Sequence, residues 1–167
     1  MKDSLKIKIR KGKPSDMESF WKVFQNSVRS QFPEYSPKIK NIYLKRIFTK
    51  ENLKKDIKTK TMDLFLAFAN GHLAGYLLIT APYGGVSCIG WIAVEKRSQG
   101  KGIGRKLLRN YEEIAKRNGI HKIHAWIDKR NIEFYKKNGW ILVGRVPQNY
   151  FGHDDWLFYK AIKKPRY

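Results

Sequence analysis

The stretch RSQGKGIGRKLL, from Arg97 to Leu108, carries three glycines at alternate positions. It lies between an apolar run that ends at Val94 and an amphipathic segment that begins near Gly102. Amide groups at a helix N-terminus have no acceptor inside the helix, and together with the helix dipole they favour an anion. Glycines remove the Cβ atoms that would hold a phosphate away from the backbone. We therefore predict that this loop binds a pyrophosphate; the alternative is a surface turn without a ligand.

Two common phosphate-binding patterns do not fit this loop. A dinucleotide loop needs G-x-G-x-x-G, and its last position is Arg105 when the count starts at Gly100. When the count starts at Gly102, that position is Leu107. A Walker A loop needs Gly-Lys followed by Ser or Thr, whereas Lys101 is followed by Gly102. The loop therefore belongs to another class of phosphate site.

The run QGKGIG at 99–104, which begins five positions after Val94, resembles the acetyl-CoA loop of the GNAT superfamily of N-acetyltransferases. The signature of that loop is Gln/Arg-x-x-Gly-x-Gly/Ala after the fourth strand. A second block, NIEFYKKNGW at 131–140, is similar to the family's Asn…Phe-Tyr-x-Lys-x-Gly-Phe segment. On these two motifs the chain is identified as a member of the superfamily. The resemblance implies an acetyl-CoA-dependent N-acetyltransferase that transfers acetyl directly to a primary amine of a protein N-terminus, a lysine or a small molecule.

The resemblance also implies which residues hold acetyl-CoA as co-substrate. In the family, the fourth strand splays from its neighbour, and its last residues bind the pantetheine arm through backbone groups; here these are Ile92, Ala93 and Val94. The pyrophosphate is held by the loop and the first helical turn. The corresponding residues here are Gln99, Gly100, Lys101, Gly102, Ile103, Gly104, Arg105 and Lys106.

Acetyl transfer from a thioester needs a proton for the departing thiolate and a polarised carbonyl. By resemblance, the proton comes from Tyr135, because many members place a tyrosine beside the thioester sulfur. A tyrosine with an ordinary pKa of about 10 is protonated at neutral pH. The alternative is that Tyr135 is a core aromatic residue paired with Phe134. A backbone amide at or just before Val94 would polarise the carbonyl, as in an oxyanion hole.

The general base stays open. The candidates are Glu95 after the fourth strand, Asp128 at the end of the fifth, His124 on the same strand face, and a water chain. A base matters more for a lysine amine, with a pKa of about 10.4, than for an α-amine, with a pKa of about 8. The family's Asn commonly lies where this chain has Asp128, which leaves open whether Asn131 contacts the cofactor.

Two further sets of reactive residues are assigned structural roles. Cys88 lies in the apolar run SCIGWIAV, so we expect a small core residue and not an acetylated nucleophile. His153, Asp154 and Asp155 are adjacent and cannot easily converge on a metal, so we expect a bent loop and no metal site. That loop, with Tyr150 and Phe151, would border the acceptor groove in the fold that the resemblance implies.

The elements that position these residues follow from hydrophobic periodicity. We predict one α/β domain over 1–167, a mixed sheet in the order β-αα-ββ-β-α-β-α-β-β with a splayed central strand pair. Asn70-Gly71 predicts a hairpin, and Ser15 with Glu18 predicts a capping box. The predicted strands after the hairpin are 87–94, 122–127, 140–145 and 155–162, and the predicted helices between them are 102–118 and 131–138.

The net charge of +21, from 35 Lys and Arg against 14 Asp and Glu, is spread unevenly along the 167 residues. Residues 61–95 contain no Lys or Arg, which predicts that they form the middle of the sheet. The basic surface repels polycations, so a neutral or acidic peptide, a small amine or a nucleic-acid-bound amine suits it better as acceptor. The charge also supports an alternative, a nucleic-acid-binding module, although no RNP, helix-turn-helix or zinc-finger signature is present.

The remaining sequence features bound the class of protein. No apolar run approaches the 18 residues of a membrane span, and the N-terminal residues lack the apolar run of a signal peptide. We therefore expect a cytoplasmic protein with no membrane contact. A catalytically silent CoA-binding GNAT protein stays a second alternative, and the sequence predicts no oligomeric state.

Overall fold

The computed structural model describes residues 5–165; the ends of the predicted domain, residues 1–4 and 166–167, lie outside the described residues. Within 5–165 the chain forms seven strands and five α-helices. The strands are β1 (Ile7–Lys11), β2 (Met62–Ala69), β3 (His72–Thr80), β4 (Val86–Val94), β5 (Lys122–Ile127), β6 (Ile141–Val146) and β7 (Asp155–Ala161). The helices are α1 (Met17–Gln31), α2 (Pro37–Ile42), α3 (Lys50–Lys58), α4 (Ile103–Arg117) and α5 (Ile132–Lys137).

The predicted mixed α/β sheet and its element order are confirmed. The hydrogen-bonded strand order is β1-β2-β3-β4-β5-β7-β6, so β4 is the central strand. The helical part after β1 has three α-helices, because Thr49 begins α3 as a separate helix by accepting the backbone N–H of Asn52 at 3.1 Å. Residues 61–95, which lack Lys and Arg, form β2, β3 and β4, as predicted.

The chain folds into two compact units, one of residues up to 78 with 91–110, the other of residues 79–90 with 111 onward. In the first unit, β1 pairs antiparallel with β2 from Ile7↔Ala69 to Lys11↔Phe65. Its core joins apolar residues of α1, α3 and the strands, among them Phe20, Phe24, Leu53, Leu66, Tyr76 and Leu78, each fully buried. The predicted hairpin is present at Asn70-Gly71, where both residues have positive φ, 49° and 84°.

The Asp16 carboxylate holds the 3-10 turn Pro14–Asp16 that precedes α1, and Ser15 lies inside this turn, so the predicted capping box of Ser15 and Glu18 is wrong. The Asp16 carboxylate accepts the Arg10 guanidinium at 2.7 Å and the Lys13 backbone N–H at 2.7 Å. The hydrogen bonds from Arg10, more than those from Lys13, lower the pKa of Asp16 below its ordinary value. A charged carboxylate with two donors makes stronger hydrogen bonds than a neutral hydroxyl does, which explains the difference.

In the second unit, β5 pairs antiparallel with β7 from Lys122↔Ala161 to Ile127↔Trp156, and β7 pairs antiparallel with β6. The parallel pairing of β4 with β5 runs from Val86↔Lys122 to Ile89↔Ala125 and ends there, although β4 continues to Val94. This register is that of the predicted splayed strand pair. No helix within residues 5–165 has both the length and the apolar character needed to cross a membrane.

Candidate functional site

The glycine loop adopts the conformation that its sequence requires. After β4 ends at Val94, a 3-10 turn covers Lys96–Ser98, and α4 begins at Ile103. Gly100 and Gly102 have φ of 73° and 78°, a region that side chains rarely adopt. A Cβ atom at either position would meet no other atom within 4 Å. The backbone therefore borders open space at the mouth of α4.

The first turn of α4 offers amide donors to this space. Its first helical hydrogen bond runs from the Lys106 N–H to the Gly102 carbonyl, at 3.0 Å. The amides of Ile103, Gly104 and Arg105 precede it, so they have no acceptor inside the helix. The amide of Lys106 is already used, so this residue can contribute only its side-chain charge to an anion site.

Side chains brace the loop from behind. The Gln99 side-chain amide donates to the Val94 carbonyl at 3.0 Å and to Gln31 Oε1 at 3.2 Å. Lys101 Nζ donates to the Arg97 carbonyl at 2.9 Å. Gln99 therefore positions the loop through neutral hydrogen bonds. Sequence reasoning missed Gln31, because it lies 68 positions from Gln99 and belongs to no motif.

The end of β4 presents backbone groups alternately to its two sides. The Glu95 N–H donates to the Ala74 carbonyl on β3 at 2.8 Å, and the Ala93 carbonyl would lie 2.9 Å from a Cβ atom on Gly75. Because backbone N–H and C=O groups alternate in direction along a strand, those of Ile92 and Val94 point away from β3. Ile92 and Val94 therefore have the orientation needed to bind an extended amide chain, whereas Ala93 faces β3.

Tyr135 lies on α5 with only 2% of its surface exposed. Its ring contacts those of Phe134, Trp140 and Phe158, with centroids 5.4, 5.2 and 5.8 Å away. Burial, and to a smaller extent the nearby Cys88 thiol, raise the pKa of Tyr135 well above its ordinary value. The hydroxyl is thus protonated at neutral pH. Tyr135 is a core aromatic residue that also keeps the proton its predicted role requires.

The candidate bases differ in their partners. The carboxylate of Glu95 accepts Arg97 Nε at 3.0 Å. The carboxylate of Asp128 accepts both the backbone N–H and Nε of Arg130 at 2.8 Å. Burial, and to a smaller extent the charge of a neighbouring lysine, lower the pKa of His124. His124 is therefore neutral at pH 7 and able to accept a proton, whereas each carboxylate is engaged by a guanidinium.

The sequence model of the Acetyltransferase (GNAT) family matches residues 21–140 of this chain. The chain belongs to the GNAT acetyltransferase family. Solved structures with a similar fold include the PaiA N-acetyltransferase of Thermoplasma acidophilum in complex with coenzyme A. Its TM-score is 0.77 at 22% identity, covering 93% of this chain and 99% of that one. The match therefore extends beyond the residues of the family model.

Two more GNAT structures are similar over nearly their whole length. The acetyltransferase YncA of Salmonella typhimurium, with its cofactor acetyl-CoA, has a TM-score of 0.75 at 20% identity, covering 96% of each chain. The ribosomal-protein-S18-alanine N-acetyltransferase of Escherichia coli has a TM-score of 0.72 at 14% identity, covering 96% of this chain and 97% of that one. At these identities the likeness establishes the GNAT fold.

Within this GNAT chain, the turn into α5 is capped differently from the family pattern. A 3-10 turn covers Lys129–Asn131, and the Asp128 side chain caps it by accepting the Arg130 N–H. Asn131 precedes α5 and makes no side-chain capping bond there. The Asp128 carboxylate thus orders the turn where the family has its Asn.

The surroundings of Cys88 and of residues 153–155 are those of structural and not of catalytic groups. Burial raises the pKa of Cys88 to about 11, so its thiol is protonated and a poor nucleophile. This agrees with the core interpretation, although the residue is half-buried. His153 and Asp154 follow a 3-10 turn at Tyr150–Gly152 and complete the predicted loop between the last two strands, and Asp155 is the first residue of β7. Among residues 5–165, no group of three or more His, Cys, Asp or Glu side chains is arranged to hold a metal ion.

Proposed function

We propose that this chain is an acetyl-CoA-dependent N-acetyltransferase that transfers acetyl directly to a primary amine. The observation that carries the proposal is the glycine cradle at the start of α4, with open space at Gly100 and Gly102, in a member of the GNAT family. Acetyl-CoA is the co-substrate that fits, since similar structures hold coenzyme A or acetyl-CoA. Residues 1–167 then form one N-acetyltransferase domain. Its cytoplasmic location stays a prediction.

The residues present fit the parts of acetyl-CoA one by one. Free amides of Ile103, Gly104 and Arg105 suit the pyrophosphate, and the cationic side chains around them suit its charge. Backbone groups of Ile92 and Val94 suit the amides of the pantetheine arm. The site thus binds chiefly through main-chain atoms, which explains why glycine is needed at two positions of the loop.

When bound, acetyl-CoA supplies an activated acyl group. The acceptor nitrogen forms a bond to the acyl carbon while the carbon–sulfur bond breaks, and the nitrogen loses one proton. A backbone N–H near Val94 stabilises the charge on the carbonyl oxygen. Tyr135 donates its proton to the departing thiolate. The proton of the acceptor amine passes to Glu95, Asp128, His124 or a water chain. Replacing each of these three residues in turn and measuring kcat against pH distinguishes the bases.

Electrostatics and the similar proteins support one class of acceptor. The structures of similar fold include PaiA and an enzyme whose acceptor is the alanine of ribosomal protein S18. A chain with a net charge of +21 repels polycationic amines. The sequence from Gln148 to Phe151 resembles the corresponding stretch of GNAT members that acetylate protein N-termini. We therefore favour an α-amine of a peptide over a polyamine.

Isothermal titration calorimetry with acetyl-CoA and CoA tests the proposal. The Gly102→Glu variant places a carboxylate in the cradle and is expected to lose binding, because the carboxylate repels the phosphates. Gly71→Glu is the matched control, since Gly71 also has positive φ (84°) and open space but lies in the β2–β3 hairpin. The control is expected to bind like the wild type. Failure of the wild type to bind either compound would refute the proposal.

The same titration separates the two alternatives. Binding of acetyl-CoA without release of free CoA thiol in the presence of any acceptor amine would indicate a catalytically silent CoA-binding protein. Absence of CoA binding, together with nucleic-acid binding that weakens steeply as salt rises, would indicate a basic nucleic-acid-binding module. The expected result is CoA binding and acceptor-dependent thiol release.

A further inference from the structure

The indole of Trp91 contains a buried donor that the fold leaves unused. Trp91 lies on β4, directly before Ile92. Its Nε1–H is buried and has no hydrogen-bond acceptor among residues 5–165. A buried N–H without an acceptor destabilises the protein by about 1–3 kcal/mol, and native structures contain few of them. Such a donor is satisfied when a bound ligand supplies the acceptor.

Four aromatic residues surround this indole and form what we call the aromatic wall. The wall consists of Phe24, Phe32, Tyr43 and Phe48, whose ring centroids lie 5.6, 4.9, 5.3 and 5.5 Å from that of Trp91. Their π faces are weak acceptors and do not replace an oxygen atom. Phe32, Phe48 and Trp91 are only half-buried, so the wall reaches the protein surface. The Nε1 atom itself is enclosed, so a ligand reaches the indole N–H only when a ring at the edge of the wall moves aside.

The helical segment that supplies part of the wall is itself unusual. Tyr43–Ile47 forms a π-helix between α2 and α3. Single π-helical turns are rare in proteins, and those that occur often lie at functional sites. Tyr43 at its start and Phe48 after its end both contact Trp91. The irregular turn thus places two aromatic rings beside the unused donor.

Trp91 also lies next to the backbone that the proposed function assigns to the acyl arm. Its side chain packs with the core formed by α1 and α3, as does Ala93. The Val94 and Ile103 side chains lie together beside Gly75, on the other face of β4. The wall and the phosphate cradle are therefore on opposite faces of one strand. A group bound at the wall is one residue away from the backbone of Ile92.

We propose that Trp91 recognises the acceptor by donating its indole N–H to a carbonyl oxygen beside the reactive amine. The acceptor class is then an α-amino amide, such as a peptide N-terminus, whose apolar or aromatic first side chain lies on the aromatic wall. A polyamine carries ammonium donors and no such oxygen, so it would leave the indole without a partner. This inference rests on the proposed function and names the acceptor of the same site.

A pair of acceptors that differ only in the carbonyl group tests this inference. L-Phenylalaninamide and 2-phenylethylamine share the amine and the phenyl ring, but only the former has a carboxamide. We expect the wild type to prefer the amide in kcat/KM, compared at equal concentrations of neutral amine. Trp91→Phe keeps an aromatic ring but removes the indole N–H. It should therefore reduce this preference about tenfold, which corresponds to the loss of one hydrogen bond. Trp21→Phe, which changes a neighbouring indole stacked on Phe24, should leave it unchanged.

Other results would overturn the inference in distinguishable ways. If Trp91→Phe lowers kcat/KM equally for both acceptors, Trp91 has a structural role only. Binding of acetyl-CoA without turnover of the amide would refute the acceptor class while leaving the cofactor site intact. Absence of acetyl-CoA binding to the wild type would refute the proposed function itself.

A measurement on the wild type keeps the test independent of the variant's folding. In the CoA complex labelled with ¹⁵N-tryptophan, in which no acetyl transfer can occur, the Trp91 indole proton is assigned through its contacts with Phe32 and Tyr43. L-Phenylalaninamide should shift this proton downfield because a hydrogen bond forms, and 2-phenylethylamine should not. The same shift with both compounds, or with neither, would overturn the inference.

Discussion

The segment from β4 to α4 and the segment from α5 to β7 both contain residues with positive φ, but the types of these residues differ. In the first, the residues with positive φ are glycines, Gly100 and Gly102, and the main chain borders open space. In the second, Gly139 and Gly152 also have positive φ, but Gln148 and Phe151 adopt φ of 51° and 55° despite their side chains. The first segment therefore offers amides, whereas the second presents side chains. A strained residue persists only where its surroundings hold it in place.

The two loops also differ in what holds them. In the β4–α4 loop the Glu95 carboxylate accepts Arg97 Nε at 3.0 Å, but the glycine stretch that follows is braced by the neutral side-chain amide of Gln99 on the Val94 carbonyl. The β6–β7 loop is held by carboxylates, since Asp154 accepts the Gln148 backbone N–H at 3.0 Å and Asp155 accepts Asn149 Nδ2 at 2.9 Å. Neutral hydrogen bonds do not respond to acid, but those of a carboxylate do. The comparison predicts different responses to substitution and to pH.

The largest expected effect comes from the side-chain segment. Tyr135→Phe removes the proposed proton donor and should reduce kcat about a hundredfold, within the usual range for a general acid. The acetyl-CoA Kd should stay unchanged, because the cradle is made of main-chain atoms. Tyr111→Phe is the matched control; it removes the bond from the Tyr111 hydroxyl to Ser87 Oγ at 2.9 Å and should lower stability by about 1 kcal/mol without lowering kcat. Steady-state kinetics and calorimetry measure both quantities, and an unchanged kcat in Tyr135→Phe would assign this residue to the core alone.

The next effect belongs to the backbone segment. Gly102→Ala places a Cβ atom where a phosphate would approach and should raise the acetyl-CoA Kd about tenfold, or 1.4 kcal/mol. Gly71→Ala introduces similar strain in the hairpin, about 1–2 kcal/mol, and should leave the Kd unchanged. Lys101→Ala should change the Kd by less than about threefold, because its ammonium already donates to the Arg97 carbonyl. A larger loss from Lys101→Ala than from Gly102→Ala would show that side-chain charge dominates the site.

The sequence predicts the backbone segment better than the side-chain segment, for a physical reason. Open main chain at positive φ requires glycine, so the cradle is visible as QGKGIG, and local periodicity predicts β5 with the bounds that the structure has. The strain at Phe151 is set by contacts across the loop and leaves no local pattern. The same holds for Asp16, whose carboxylate holds the turn before α1 by accepting Arg10 of β1. The unused donor of Trp91 is equally invisible, because four residues from distant positions enclose it.

A smaller effect concerns stability. Gln148→Gly should raise the free energy of unfolding by up to about 1 kcal/mol, because it removes left-handed strain while increasing the entropy of the unfolded chain. Gly100→Ala should lower the free energy by about 1–2 kcal/mol through the opposite change. Urea denaturation compares the two variants with the wild type. If both substitutions change the free energy of unfolding in the same direction, the two loops do not differ in backbone strain.

The smallest effect is a difference in acid response between the loops. The hydrogen bond from the Gln148 N–H, and then that from Arg145, lower the pKa of Asp154 below its ordinary value. The Asp154 hydrogen bonds are therefore intact above the ordinary Asp pKa of about 3.9 and are lost as the pH falls through its lower folded value. The Gln148 amide proton should shift upfield below pH 4 in NMR titrations, whereas the side-chain amide of Gln99 should not move. Asp154→Asn should abolish the shift of Gln148, and a parallel titration of Gln99 would show that acid loosens both loops together.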